Sequence, residues 1–244
     1  MRSPIVIMAT YNGRRFIEEQ FSSIAAQTVP QLDLIVSDDG STDGTREWLD
    51  GALAGWTKGR ATLIEGPRAG NSSDNFRHLF LALPDDAEMV ALADQDDVWL
   101  PEKLEWAQAA LADVPSEVPA VACSRTRLID EAGQPIGYSR YFRRPPSFRN
   151  AVVQSIAGGN TMVLNAAATR LVRESFRRVH VPAHDWWIYM IVTGAGGRMI
   201  YREQWDTLYR QHENNVVGDN QGWRARVVRF RKLLGGEFRR WNDS

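Results

Sequence analysis

Three carboxylates, Asp94, Asp96 and Asp97, follow the apolar run Met89–Ala93 with no lysine or arginine among them. Negative charge concentrated at a strand end is unfavourable unless something positive sits beside it. A divalent cation with oxygen ligands neutralises such carboxylates while collecting phosphate oxygens from a substrate. In doubly wound sheets, ligands bind beyond the carboxyl ends of the strands. The stretch Ala93–Trp99 therefore reads as a metal-diphosphate platform. The alternative is an acidic turn that caps the helix opened by Pro101, since Asp is common at turns and N-caps.

A second acidic strand end, Asp38 to Gly44, follows the run Leu32–Ser37. Asp39, Ser41, Asp43, Gly44 and Asp50 match the offsets of a calcium loop, but a strand precedes them where that motif needs a helix. Two readings remain: a helix start with Ser41 or Thr42 as N-cap, or a carboxylate that accepts from a ligand's N–H group. The second places both acidic ends on one edge of a sheet.

The elements that carry these residues alternate. Strands are expected at Ile5–Ala9, Leu32–Ser37, Ala61–Glu65, Glu88–Ala93 and Ala120–Thr126. Helical spacing is expected through Phe16–Ile24, Trp48–Leu53, Phe76–Leu83 and Leu104–Leu111. This rhythm predicts βαβ units around a mostly parallel sheet. Thr10–Gly13 turns between the first strand and helix without the glycine fingerprint of a dinucleotide fold or the Gly-Lys-Ser/Thr of a P-loop. Beyond residue 111 the rhythm loosens into a turn around Asp130–Gly133, a basic aromatic segment Tyr138–Arg149 and a Gly158-Gly159-Asn160 loop. This half is expected to choose a partner molecule.

Composition sets the bounds. A chain of 244 residues with 43% hydrophobic and 24% charged content suits one large α/β domain, and a net charge of -1 gives no reason to expect nucleic-acid binding. The single Cys123 cannot form an internal disulfide, so a reducing cytoplasm and a buried structural thiol are expected. No apolar signal-peptide core or membrane-length run is read in the chain.

Thr10-Tyr11-Asn12-Gly13, Asp38-Asp39-Gly40-Ser41-Thr42-Asp43, Asp94-Gln95-Asp96-Asp97, Gly158-Gly159-Asn160, His184-Asp185-Trp186-Trp187 and Gln211-His212-Glu213-Asn214-Asn215 occur in an order and spacing that resembles glycosyltransferase family 2. Its members are inverting enzymes of the GT-A fold. The wording Ala-Asp-Gln-Asp-Asp-Val-Trp, with His-Asp-Trp-Trp, looks most like the bacterial rhamnosyltransferases of that family. The resemblance implies a Rossmann-like, doubly wound, mostly parallel sheet with helices on both faces. It implies a GT-A domain over residues 1–217, with a nucleotide-sugar half (1–100) and an acceptor half (101–217).

It also implies roles. Thr10, Tyr11, Asn12, Asp39, Asp94 and Gln95 would hold the donor, with dTDP-L-rhamnose favoured. Asp96 and His212 would hold Mg2+ or Mn2+, although a lone histidine is as readily structural. Gly159, Asn160, Trp186 and Trp187 would face a saccharide or lipid-linked acceptor of cell-surface polysaccharide synthesis, although two tryptophans opening an apolar helix are as readily core. Asp185 would be the base that inversion needs on the face opposite the leaving group, its alternative being an N-cap or first-turn carboxylate.

Residues 218–244 lie beyond these motifs. Trp223, Val227, Phe230, Leu234, Phe238 and Trp241 recur every three or four residues among arginines, the pattern of a basic amphipathic helix. Such a helix over 223–241 would lie on an anionic membrane or dock on protein, including a second copy in a homodimer. The expected location is cytoplasmic, peripheral on the inner membrane face. Two further readings are a haloacid-dehalogenase-type phosphatase with Asp94 as nucleophile, and a non-catalytic nucleotide-sugar binding protein.

Overall fold

The computed structural model describes residues 3–212. The amphipathic pattern at 218–244 lies outside the described residues, as do Glu213, Asn214 and Asn215. The elements run β1 (Ile5–Thr10), α1 (Ile17–Ala25), β2 (Asp33–Asp38), α2 (Thr45–Ala54), β3 (Ala61–Glu65), α3 (Ser72–Ala82), β4 (Met89–Asp94), β5 (Val98–Trp99), α4 (Lys103–Ala112), β6 (Ala120–Ile129), β7 (Pro135–Tyr138), α5 (Phe148–Ala151), β8 (Val163–Asn165), α6 (Ala166–Arg178), α7 (His184–Gly194) and β9 (Arg198–Arg210). They form one sheet in the order β3-β2-β1-β4-β8-β6-β9-β5, with β7 pairing β6.

The first half is the expected doubly wound unit. β3, β2, β1 and β4 are parallel, with Met8 beside Val36 on one side and Ala93 on the other. Every residue of β1 is buried, as a central parallel strand covered on both faces requires. Its alternate side chains feed two cores. Ile5, Ile7 and Ala9 join Phe76, Phe80, Phe176 and Tyr189 under α3, α6 and α7. Val6 and Met8 join Ile17, Ile24, Leu49 and Leu104 under α1, α2 and α4.

The second half mixes directions. β8 runs antiparallel to both β4 and β6, β9 is parallel to β6, and β5 is antiparallel to β9. The β6–β9 register breaks near Arg125, and the two strands carry polar side chains inward there. Lys103, 1% exposed, faces Asp206, 2% exposed, at 3.4 Å, and its ammonium also donates to Thr207 Oγ1 at 2.8 Å and the Asn160 carbonyl at 2.7 Å. Asp206 further accepts from Ser124 at 2.9 Å and from Arg202 at 2.7 Å. Burial pulls the Lys103 ammonium down from its ordinary range against the opposing pull of Asp206.

Two local expectations change. Neither Ser41 nor Thr42 caps α2. The N-cap position is Gly44, at φ 90° and without a side-chain cap, because Ser41 Oγ is already engaged, donating to Asp38 at 2.5 Å and accepting from Asn12 N at 2.8 Å. Pro101 lies in the turn before α4, whose first helical residue is Lys103. Cys123 is a buried free thiol, pushed up to about 12 by burial. Among the described residues no helix is long and apolar enough to cross a membrane.

Asp206→Ala removes the acceptor shared by Lys103, Ser124 and Arg202 and leaves Lys103 a buried charge without its carboxylate. Removing one member of a buried ion pair costs about 3–5 kcal/mol. Urea unfolding is expected to show that loss, and a loss under about 1 kcal/mol would mean that Lys103 finds compensation elsewhere.

Candidate active site

A cleft of about 1370 Å³ opens over the carboxyl ends of β1 and β4, where the strand order reverses in a doubly wound sheet. Pockets for one small ligand measure roughly 300–1,000 Å³, so this space exceeds what one such ligand needs.

At one end, Thr10 Oγ1 donates to Asp38 Oδ2 at 3.1 Å, and Asn12, in the left-handed region at φ 48°, accepts from Thr42 N at 2.9 Å. Asp39 is buried at the cleft wall, where its two oxygens accept from Ala69 N (3.2 Å) and Gly70 N (2.8 Å). A carboxylate has about four acceptor sites, so Asp39 keeps acceptor capacity toward the cleft.

The sequence reading missed Asn75 beside it. Asn75 Nδ2 donates to the Thr10 and Ser37 carbonyls, while buried Oδ1 has no hydrogen-bond partner among the described residues. Its signal was a polar residue one position before Phe76 on the buried face of α3.

The floor is built by reciprocal amide contacts. Tyr11 N donates to Gln95 Oε1 and Gln95 Nε2 donates to the Tyr11 carbonyl, each at 2.9 Å. A Cβ at position 13 would lie 2.1 Å from Gln95 Oε1, so a larger residue there would push the Gln95 amide off Tyr11. Asp94 is held at its carbonyl by Gln20 Nε2 (2.9 Å). Burial, then the nearby Asp96 and Asp185 carboxylates, push its carboxyl up to about 7.

The three carboxylates at the end of β4 and just beyond it separate. Asp94 and Asp96 line the cleft and Asp97 does not. Asp97 is fully buried, accepting from Asn160 Nδ2 at 2.5 Å and from Arg210 N at 3.2 Å, and burial holds it well above the carboxylate range. The expectation that a cation neutralises all three is corrected: Asp97 is turned inward to tie the loop to β9, because the chain supplies its partners. Asn160 correspondingly serves this buried bond while bordering the cleft.

Asp96 Oδ2 lies 2.7 Å from His212 Nε2, and His212 stacks on Phe16 at 5.3 Å between ring centroids. This carboxylate and imidazole are the residues that would hold a divalent ion at the cleft. Among the described residues no cluster of three or more His, Cys, Asp or Glu is arranged as a metal site. A carboxylate-imidazole pair completed by diphosphate oxygens suits Mg2+ or Mn2+, which bind through few protein ligands plus substrate phosphates.

Asp185 sits in the first turn of α7 and lines the cleft. The N-cap position is Ala183, so the N-cap alternative for Asp185 falls and the first-turn one holds. Its Oδ1 accepts from Trp186 N at 2.7 Å. Preceding it, His184 is buried, stacks on Phe76 at 4.2 Å and receives Ser73 Oγ near its backbone and ring. Its Nε2 occupies the space over Gly159, where a Cβ would stand 2.5 Å away.

Trp186 borders the cleft and donates to the Ala151 carbonyl. Trp187 does not line the cleft. It packs on the core and donates to Ser175 Oγ at 3.0 Å, because consecutive residues of a helix point about 100° apart. Its acceptor-facing assignment is corrected to core.

Over 238 residues, 91% of this chain and 78% of the relative, the chain is 25% identical to the dTDP-rhamnosyl transferase RfbG of Shigella flexneri. Among solved structures it is similar to S. aureus TarS in complex with UDP-GlcNAc (TM-score 0.68, 18% identity, 91% of this chain and 62% of that one). It is also similar to the mannosyltransferase PcManGT of Pyrobaculum calidifontis in complex with GDP-Man and Mn2+ (TM-score 0.66, 20% identity, 99% and 64%). The chain thus spans less than two thirds of these solved proteins, and the likeness gives the GT-A architecture. The family model "Glycosyl transferase family 2" matches residues 5–170, and the chain belongs to that family.

Proposed function

We propose that this chain is an inverting, metal-assisted glycosyltransferase that moves L-rhamnose from dTDP-L-rhamnose to a saccharide or lipid-linked acceptor. The observation that carries the reading is the convergence of Asp94, Asp96, His212 and Asp185 on one cleft larger than a single small ligand needs. The similarity to RfbG along nearly the whole chain supports the rhamnose donor. A phosphatase reading has no comparable support, since Asp94 ends the fourth strand and its carboxyl is pushed toward the protonated form.

Asp39 keeps acceptor capacity for the N–H edge of the base, and Asp94 would take the ribose hydroxyls. Asp96 and His212 would hold the divalent ion, which supplies Lewis-acid stabilisation of the charge that departs on the diphosphate. Asp185 has one oxygen on Trp186 N and its other oxygen available to the acceptor hydroxyl. As the acceptor oxygen bonds to the anomeric carbon, the bond from that carbon to the diphosphate oxygen breaks with its electron pair. The hydroxyl proton passes to Asp185.

Titration with dTDP-rhamnose, UDP-glucose and UDP-GlcNAc, with and without manganese, tests the donor. The expected order places dTDP-rhamnose tightest, and equal affinities would remove the rhamnose assignment. Asp96→Ala is expected to abolish the metal dependence of donor binding; affinity indifferent to both the substitution and EDTA would exclude Asp96 from the metal. Asp185→Asn keeps the shape and the contact with Trp186 N but cannot take the proton. Turnover should fall ~10²–10⁴-fold with donor affinity and melting temperature retained, whereas a rate within about threefold of wild type would remove the base role.

A further inference from the structure

Between Glu131 and Glu174 the sequence has no acidic residue, while Arg140, Arg143, Arg144 and Arg149 fall within ten positions. All four arginines are exposed. Among the described residues none of them pairs with a carboxylate. Unusually large apolar side chains stand exposed in the same segment: Val153 at 71%, Val152 at 55%, Phe148 at 50% and Tyr141 at 36%. The patch adjoins the active cleft, because Arg140, Phe142 and Val153 form part of the cleft's own lining. Phe148 is braced from behind by α7, where its ring stands 3.2 Å from the Cβ position of Gly194.

We propose that this arginine and apolar rim docks the protein on an anionic membrane surface, with the mouth of the cleft at the lipid headgroups. The charge is complementary to anionic lipid. Valine and phenylalanine side chains gain by entering the headgroup boundary, and arginine and tyrosine suit the interface itself, with polar heads in water and apolar stems inward. A soluble acidic saccharide would engage the arginines but gains little from Val152 and Val153. A two-fold dimer through this face would set arginine clusters against each other. Docking brings a lipid-linked hydroxyl to the cleft without leaving the bilayer surface.

The test is sedimentation of the full chain with phosphatidylcholine vesicles with and without phosphatidylglycerol, at low and high salt. Vesicle binding is read without turnover, so its outcome is separate from that of the proposed reaction. Binding is expected only to the phosphatidylglycerol vesicles and is expected to weaken with salt. Each arginine is worth on the order of fivefold, so Arg143→Gln/Arg144→Gln/Arg149→Gln should weaken binding by about 100-fold, with binding of dTDP unchanged as the control for fold. Val152→Ser/Val153→Ser should also weaken it.

No vesicle binding by the wild type overturns the proposal. So does binding that neither set of substitutions changes, which would move the contact to another segment such as 223–241. Binding lost with the arginines but indifferent to the valines overturns it in favour of a general polyanion site. A concentration-dependent dimer in sedimentation velocity that the same substitutions abolish overturns it in favour of a second copy.

Discussion

One buried guanidinium holds the site in register. Arg210 is 1% exposed at the end of β9. Its side chain donates to the carbonyls of Asp96 (2.9 Å), Asp130 (3.3 Å) and Glu131 (3.1 Å) and pairs with Glu19, and its cation lies 4.8 Å from the Phe16 ring centroid. Its own backbone N–H fixes Asp97. Burying such a charge is tolerable only when its donors are satisfied, and here the satisfaction is supplied by the acidic turn, the β6–β7 turn and α1 together. Because His212 follows two residues later, the same anchor that shapes the backbone of Asp96 also brings the imidazole to its carboxylate. The pairing of Asp96 with His212 is thus inherited from a structural ion cluster rather than made by two independent loops.

Beneath that cluster, the charge pattern divides into two layers. Asp97, Lys103 and Asp206 are enclosed and hold β4, α4 and β9 to one another, with Lys103 within 4.4 Å of the Trp99 ring centroid. Asp94, Asp96 and Asp185 form the upper layer, where burial first and then the repulsion of the other two carboxylates raise Asp94. The lower layer is self-compensating. The upper one has, among the described residues, only His212 at Asp96 and the Trp186 N–H at Asp185 as partners, and such a cluster of carboxylates on a rigid base attracts cationic ligands or ligands that bring their own cation.

Much of the first half was legible in the sequence. β3 has the expected bounds, and β1, β2 and β4 each differ by about one residue, because buried parallel strands are short apolar runs that leave little choice. Asp39, Asp94, Asp96, Asp185 and His212 were all singled out, and the cleft borders every one. What escaped depends on partners far along the chain. Asp97 reads like Asp96 until Asn160 and Arg210 are placed beside it. β9 was unreadable as a strand because polar and aromatic residues mix along it without a clean alternation, and its register against β6 breaks twice. Trp187 was separable from Trp186 only once the rotation of α7 against α5 and α6 was known.

The contact of His184 with Gly159 has a consequence for how this scaffold can change. With the imidazole filling the place of a missing Cβ and Phe76 behind it, α7 has been driven home like a bolt against its seat. The reach of Asp185 into the cleft is therefore a fixed length set by the size of one residue on a different element. Any residue larger than glycine at 159 would have to push the His184 imidazole back from its seat, at the start of the helix that carries Asp185, while β1 and β4 lie outside that contact.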